Sequence, residues 1–568
     1  MVKVRTLCVG WLVAASIGCG GSEKPTAPVG ETLQAEGPTA APIAGVVTAE
    51  ATAALLARGE TLFANQCSVC HGVAGDGEGP YTHLLDPRPR AFTSDPFKIA
   101  STDNQIPTAA DLRRTISEGM AGSAMPSWEH LPGRDLDALT AYVRKVFVDG
   151  VRARLESNVA AGHLPADEFD SELAYFTNPG EPISIPAQTA LDAARLAHGR
   201  ELYVQGCADC HGIDGRPVPE AVKTDDKGFP VMPRSFVAGL FKGGAEPERL
   251  FTRVLKGMKG TPMPEYEGVY SGQDIWDIVR YVQTFGESGA QERARLRQLR
   301  IAAKRVDAAP KNPGDPAWGS AAPTTVALAP LWWSERRIER LTVQALHDGE
   351  EIAFRLEWAD ATDNSRAVAQ HEFRDGVAIQ FSKTPDPPFF MGGPGQHDDV
   401  NIAFWKADRQ RDIAAGHQDV DALFPQRAVD LYPEQNHVTP RDRQEADWPK
   451  GAIGEHRPEF ITAWGAGNLV ADPQLRSPVE NLTAQGPGTL EGFPIAMQFV
   501  EGWGERGDGG WAVVIRRPMA TRGEGDGPAP VGLPAGATVP VGFAVFDGAA
   551  GDREGKKNIS VWQLLTIE

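Results

Sequence analysis

Apolar positions recur along this chain with two different periods, and the change between them divides it. Up to about residue 290 they fall at helical spacing, as in Ala54 to Phe63, Leu112 to Ile116, Leu136 to Phe147, Ala194 to Tyr203, Leu250 to Leu255 and Ile275 to Phe285. Beyond about residue 325 they alternate every second residue. Leu341 to Leu346, Ile352 to Trp358, Val377 to Phe381, Ile495 to Val500, Trp511 to Arg516, Val541 to Phe546 and Ile559 to Ile567 all read as strands. Turn pairs separate them: Asp348-Gly349, Asp375-Gly376, Asp508-Gly509 and Asp547-Gly548. The expected architecture is multidomain: two all-α domains, then an all-β, sandwich-like domain.

The helical half is an internal duplication. Gly59-Glu60-Thr61-Leu62-Phe63 precedes Cys67, and Gly199-Arg200-Glu201-Leu202-Tyr203 precedes Cys207. Each unit carries a second helix and then a methionine loop: Gly119-Met120-Ala121-Gly122-Ser123-Ala124-Met125-Pro126 in one, Gly257-Met258-Lys259-Gly260-Thr261-Pro262-Met263-Pro264 in the other. The expected domains are 51–150 and 191–290, joined by a connector at 151–190. A Pro- and Gly-rich linker at 291–325 leads to the β domain at 326–568.

Cys67-Ser68-Val69-Cys70-His71 and Cys207-Ala208-Asp209-Cys210-His211 are both C-x-x-C-H, the pattern that attaches a c-type haem. The two thiols add across the haem vinyl groups, and the adjacent histidine is placed to ligate the iron. Zinc would want four ligands close together, whereas the motifs lie 140 residues apart. A thioredoxin-like dithiol would sit in a βαβ context, which the pattern lacks. Met125 lies 58 residues after Cys67, and Met263 lies 56 after Cys207. A thioether on a Pro-stiffened loop is a suitable sixth ligand that raises the potential. Methionine more often fills cores, but the matched Met-Pro repeat favours ligation; Met120 and Met258 are the nearest competitors. These units resemble class I cytochrome c domains. With His71 and Met125, or His211 and Met263, bound to iron, no coordination position stays open. That favours electron transfer over chemistry on a substrate.

Composition narrows the setting. At 568 residues, 41% hydrophobic and 23% charged, the chain is ordinary globular material. A net charge of −19 argues against nucleic acid as a partner and suits solubility or the steering of a basic redox protein. Of six cysteines, four are in the motifs; Cys8 and Cys19 sit at the N-terminus, so no set is left for an iron–sulfur cluster. Lys3 and Arg5 precede an apolar run, Leu7 to Ile17, too short to span a bilayer. It ends in Ser16-Ile17-Gly18-Cys19, which resembles a bacterial lipoprotein signal, although Leu is commoner where Ser16 stands. Residues 1–18 then read as a signal peptide, Cys19 as the lipidated residue and 19–50 as a flexible tether. The alternative is an ordinary secretory signal. Either way the expected location is the periplasmic side of a bacterial membrane.

The β part holds no C-x-x-C-H but carries an ordered set of strings. They are Trp358-Ala359-Asp360, Pro388-Phe389-Phe390-Met391-Gly392, Val400 to Asp408, and Gly548 to Gly555 followed by Lys556-Lys557-Asn558-Ile559-Ser560-Val561-Trp562. Together they resemble the haem-binding γ subunit of ethylbenzene dehydrogenase and its relatives in dimethylsulfide dehydrogenase, selenate reductase, chlorate reductase and nitrite oxidoreductase. The resemblance implies one b-type haem in a β-sandwich, with Met391 and Lys557 as axial ligands and Lys556 as the alternative to Lys557. It also implies a molybdenum catalytic subunit and an Fe–S subunit as partners, with other cytochromes or a terminal oxidase beyond them. His417, His437 and His456 fall in an insert without a match and read as surface residues. The whole then reads as an electron-transfer subunit with no catalytic site of its own. The alternatives are a haem enzyme such as a peroxidase, and a cytochrome c with a haem-free β docking domain.

Overall fold

Each helical unit is built on two helices that cross at a glycine. In the first, α1 (Ala49–Gln66) crosses α4 (Gly133–Ala160). A Cβ on Gly59 would lie 2.2 Å from the Ala138 carbonyl oxygen, so only hydrogen fits. Beside the crossing, the Arg58 guanidinium grips Asp135 at 3.1 and 2.8 Å. The second unit repeats the device. Here α6 (Ala193–Gly206) crosses α9 (Gly272–Val282), a Cβ on Gly199 would lie 2.1 Å from the Asp277 carbonyl oxygen, and the Asp277 carboxylate binds Arg195 and His198. The glycine shared by the two sequence repeats is thus a contact point between helices. Phe63 and Tyr203, one turn on, are buried beneath the motif cysteines.

The computed structural model describes residues 49–389, 400–415, 426, 477–486, 488–520 and 530–568. Cys8, Cys19, Met391, His417, His437 and His456 lie outside them. Short helices α2 (Ser68–His71) and α7 (Ala208–His211) carry the motifs. The second helix of each unit is α3 (Ala109–Glu118), capped by a Thr108–Asp111 box, and α8 (Pro247–Lys256), opened by a proline. Helix α4 runs on to Ala160 and packs on α5 (Phe169–Thr177), so much of the expected connector is helical. A two-residue ribbon, β1 (Lys223–Thr224) with β2 (Pro230–Val231), decorates the second unit, and α10 (Ala290–Arg293) closes it.

The expected linker at 291–325 is instead part of the sheet. Arg300–Arg305 forms β3, flanked in parallel by β6 (Arg340–His347) and the last strand, β16 (Gln563–Ile567). Its Ile301 and Ala303 enter the core while Arg300 and Ala302 face out, an alternation too short to stand out in sequence. The other strands are β4 (Thr324–Ala327), β5 (Ala329–Pro330), β7 (Glu351–Ala359), β8 (Gly376–Ser382), β9 (Val400–Lys406), β10 (Val479–Ala484), β11 (Glu491–Gly492), β12 (Glu501–Gly507), β13 (Gly510–Pro518), β14 (Thr538–Phe546) and β15 (Asn558–Ile559). A short helix, α11 (Ala407–Ala415), follows β9.

The main path runs β11-β10-β9-β8-β14-β16-β3-β6-β7-β13-β12 and folds back on itself. Phe354 of β7 packs on Phe381 of β8, and Trp405 of β9 packs on Trp358 and Trp511 of β7 and β13. Most of the strands read from alternation are present. One is not: Ile495 to Val500 makes a 3₁₀ turn after Pro494 and a loop, and the strand starts at Glu501. Gln498 explains the stop, because its amide pairs with Asn481 through both oxygen and nitrogen in place of a backbone ladder. The stretch Ile559 to Ile567 is likewise two strands, broken at Ser560 to Trp562.

The residues from Glu50 onward form one compact unit. One apolar cluster passes from Phe63 and Leu139 of the first helical unit to Leu331, Ile559 and Val561 of the β domain.

Candidate functional site

The C-x-x-C-H spacing becomes geometry through one helical turn. The amides of Cys70 and His71 both donate to the Cys67 carbonyl, at 3.2 and 2.9 Å, and those of Cys210 and His211 repeat this on Cys207 at 3.2 and 2.9 Å. Residues i, i+3 and i+4 share a helix face, so both thiols and the imidazole look the same way. All four cysteines are free thiols. Burial pushes Cys67 and Cys70 up to about 12 and Cys207 up to about 11. These are not the activated thiolates of a redox dithiol.

The two imidazoles are oriented identically. Nδ1 of His71 is 2.8 Å from the Arg90 carbonyl, and Nδ1 of His211 is 3.0 Å from the Arg234 carbonyl. A carbonyl only accepts, so the proton sits on Nδ1 and Nε2 keeps its lone pair for a metal. Burial lowers both histidines from their usual range, which holds the neutral, ligating form. Each ring is stacked: His71 on Phe92 with centroids 4.5 Å apart, His211 on Phe236 at 4.3 Å. Sequence reasoning passed over these supports, although Pro89-Arg90-Ala91-Phe92 and Pro233-Arg234-Ser235-Phe236 form a readable repeat.

The methionine loops close across from the cysteines. The Met120 amide donates to the Met125 carbonyl at 3.0 Å, and the Met258 amide to the Met263 carbonyl at 3.3 Å. A hydroxyl braces each loop: Ser123 Oγ donates to the Met120 carbonyl and accepts from the Met125 amide, and Thr261 does the same between Met258 and Met263. Both methionines of each loop line an apolar cavity that also holds the cysteine pair and histidine of the same unit. The two cavities, open solvent at their mouths included, hold about 1360 and about 1250 Å³ free of protein atoms. Two thiols and a ligating imidazole on one wall, thioethers on another and apolar sides between them suit a covalently held haem.

Lys557 and Lys556 separate cleanly. Lys556 is exposed, 5.5 Å from the Trp332 ring centroid. Lys557 is half-buried, 5.8 Å from that of Phe546, and burial brings its ammonium down to about 8. The segment leading to Met391 lies against the first helical unit. Phe389 is buried, lines that unit's cavity and packs on Trp128 at 5.6 Å, while Gln66 donates to Asp386 and to the Pro387 carbonyl. From the other side, Trp562 Nε1 donates to the Pro388 carbonyl at 2.9 Å. Among the described residues no helix is long and apolar enough to cross a membrane.

Comparison with known proteins matches these parts. Residues 54–143 and 194–282 each match the family model of the cbb3-type cytochrome c oxidase subunit III, and residues 315–558 match that of ethylbenzene dehydrogenase. The chain is 33% identical over 129 residues to a putative respiratory nitrate reductase heme subunit of Haloferax mediterranei, covering 21% of this chain and 46% of that one. It is 26% identical to the dimethylsulfide dehydrogenase subunit gamma of Rhodovulum sulfidophilum, over 39% of this chain and 57% of that one. It is 24% identical to the chlorate reductase subunit gamma of Ideonella dechloratans, over 40% and 64%. The chain thus spans roughly half to two thirds of the length of these relatives. Its two helical units are cytochrome c domains, and its C-terminal sheet is a γ-like domain of the ethylbenzene dehydrogenase family.

Proposed function

We propose that this chain is an electron-transfer subunit holding two c haems and one b haem. The observation that carries it is the twice-built site, in which a neutral imidazole pinned through Nδ1 faces an apolar cavity closed by a braced methionine loop. Cys67 and Cys70, with Cys207 and Cys210, would hold the two covalent groups. His71 with Met125, and His211 with Met263, would supply the axial atoms. A haem so held supplies one-electron exchange at a raised potential. The protein's part is to keep Nε2 unprotonated, exclude water and fix the thioether.

In the β domain, Met391 and Lys557 are the proposed ligands of the b haem. Lys557 can ligate only as the neutral amine, and burial favours that form. The relatives support a molybdoenzyme partner; in this reading a catalytic subunit with an Fe–S relay stands on one side, and respiratory cytochromes or a terminal oxidase on the other. Placement on the periplasmic side of the membrane through a lipid at Cys19 belongs to the same reading. Acid–acetone extraction tests the haem complement. It should release one haem per chain and leave two bound; no extractable haem would remove the b site, and one covalent haem would show that a cytochrome unit is vacant.

A further inference from the structure

The two apolar cavities share a wall. Between them lies a polar cavity of about 850 Å³, its open mouth included, lined from the first unit by Arg90 and Lys98 with Asp86 and Asp95, and from the second by Arg234 and Lys242 with Asp225 and Asp226. Arg90 and Lys98 also line the first haem cavity, and Arg234 also lines the second. Lys242 lines all three. Neither cysteine pair reaches the junction.

The units are locked together here. Arg234, whose carbonyl orients His211, donates through Nη1 to the Gly122 carbonyl in the first methionine loop at 3.2 Å and stacks over Trp333 at 4.0 Å. Arg253 fixes the backbone of Lys242 by donating to the carbonyls of Lys242 and Gly244. The ammonium of Lys242 itself has no hydrogen-bonded or ion-paired carboxylate among the described residues, and neither has that of Lys98. The carboxylate that acts on Lys242 is Asp86, and those that act on Lys98 are Asp225, Asp226 and Asp95, the last already paired with Arg90 at 3.4 Å and Lys227 at 2.8 Å. Burial, with Arg234, Lys98 and Arg90 nearby, pushes Lys242 well below its usual range. Asp86 offsets part of this positive charge, and a buried ammonium with no ion-paired carboxylate is relieved by a further anion.

Haem chemistry supplies the anion. The vinyl carbons that take the cysteine thiols lie on one half of the porphyrin edge, and the two propionates lie on the other. The thiols therefore fix which end of each cavity the propionates occupy, and in both units the cation-lined, cysteine-free end is the junction. We propose that Lys242 is a shared propionate clamp, at which the carboxylates of both c haems converge so that one cation sets both potentials. The proposal rests on the two-haem reading above. It goes beyond it in coupling the sites through a residue of neither motif.

Potentiometric titration of the intact holoprotein tests this, with each c haem identified through its methionine variant. Lys242→Met, uncharged and of similar length, should keep two covalent haems and lower both potentials, because the lost cation had favoured the reduced form. A tenfold shift in each reduction equilibrium would read as 59 mV. Lys98→Met should lower the first more than the second, since of the two haem cavities Lys98 lines only the first. Lys242→Gln repeats the first test with a polar neutral side chain. Two retained haems with only one potential moved, or neither, would overturn the shared clamp. Fewer than two covalent haems in the unaltered chain would instead show the two-haem reading to be at fault.

Discussion

Replacing Gly199 by alanine should loosen the second cytochrome unit by about 2 kcal/mol. The new Cβ would lie 2.1 Å from the Asp277 carbonyl oxygen and 2.5 Å from its carbonyl carbon. Ordinary carbon–oxygen contacts start near about 3.3 Å, so α6 and α9 would have to part by about 1 Å. Backbone stands on both sides, leaving no flexible side chain to swing away. Overpacking of this kind costs about 1–3 kcal/mol, and the upper end applies here. Alanine's better helix propensity returns about 1 kcal/mol. The net loss of about 2 kcal/mol corresponds to about 8–16 °C in the unfolding of a unit of this size. Circular dichroism and calorimetry of the full chain would read it. Gly319→Ala is the control, because nothing lies within 4 Å of its added Cβ. If Gly199→Ala unfolded within about 2 °C of the parent chain, the crossing would have slack and the argument for the repeated glycine would fall.

Met125→Ala and Met263→Ala should each abolish one Met–iron charge-transfer band and lower one potential; unchanged spectra in both would pass the role to Met120 and Met258. Lys557→Ala should lose or convert the extractable haem while both covalent haems stay, and Lys556→Ala should be mild, as the exposure of Lys556 implies; loss from Lys556→Ala alone would refute the assignment. Burial raises the Asp375 carboxyl to about 6. The folded state therefore holds this proton more tightly than the unfolded one, and stability should fall by about 3 kcal/mol as pH rises from about 4 to about 6. Denaturant titrations across that window should show a slope that vanishes in Asp375→Asn, and a flat profile in the parent chain would contradict it. Adding carbon monoxide to the reduced protein should leave both c-haem spectra unchanged, whereas rapid binding would favour a peroxidase-like open site.

The grouping of each cysteine pair with its histidine was legible because C-x-x-C-H is a local pattern, completed within one helical turn. The division into helical and β parts was legible because the two periods differ. What sequence reasoning missed depends on groups distant in the chain. The carbonyls of Arg90 and Arg234 act through their backbone, so their side chains advertise nothing about it. Lys242 stands apart from every motif and matters only because the two units fold against each other. Arg300 to Arg305 was read as part of a linker because the stretch 291–325 starts basic and turns Pro- and Gly-rich, yet flanking strands bury Ile301 and Ala303. Ile495 to Val500 failed in the opposite sense: its alternation was real, but side-chain bonds of Gln498 and Asn481 displaced the ladder.

The last strand, β16, pairs with β14 on one side and β3 on the other, so it joins the two halves of the sheet path. This fixes an order of assembly. As the chain emerges from its N-terminus, both C-x-x-C-H sites are available long before Gln563, and the helical units can be loaded while the sheet is still open. Closure waits for β16, and a chain stopped short of Gln563 would present the edges of β3 and β14 that β16 covers. Such edges are templates for aggregation, so β16 acts as a quality checkpoint: only a chain that includes it hides them.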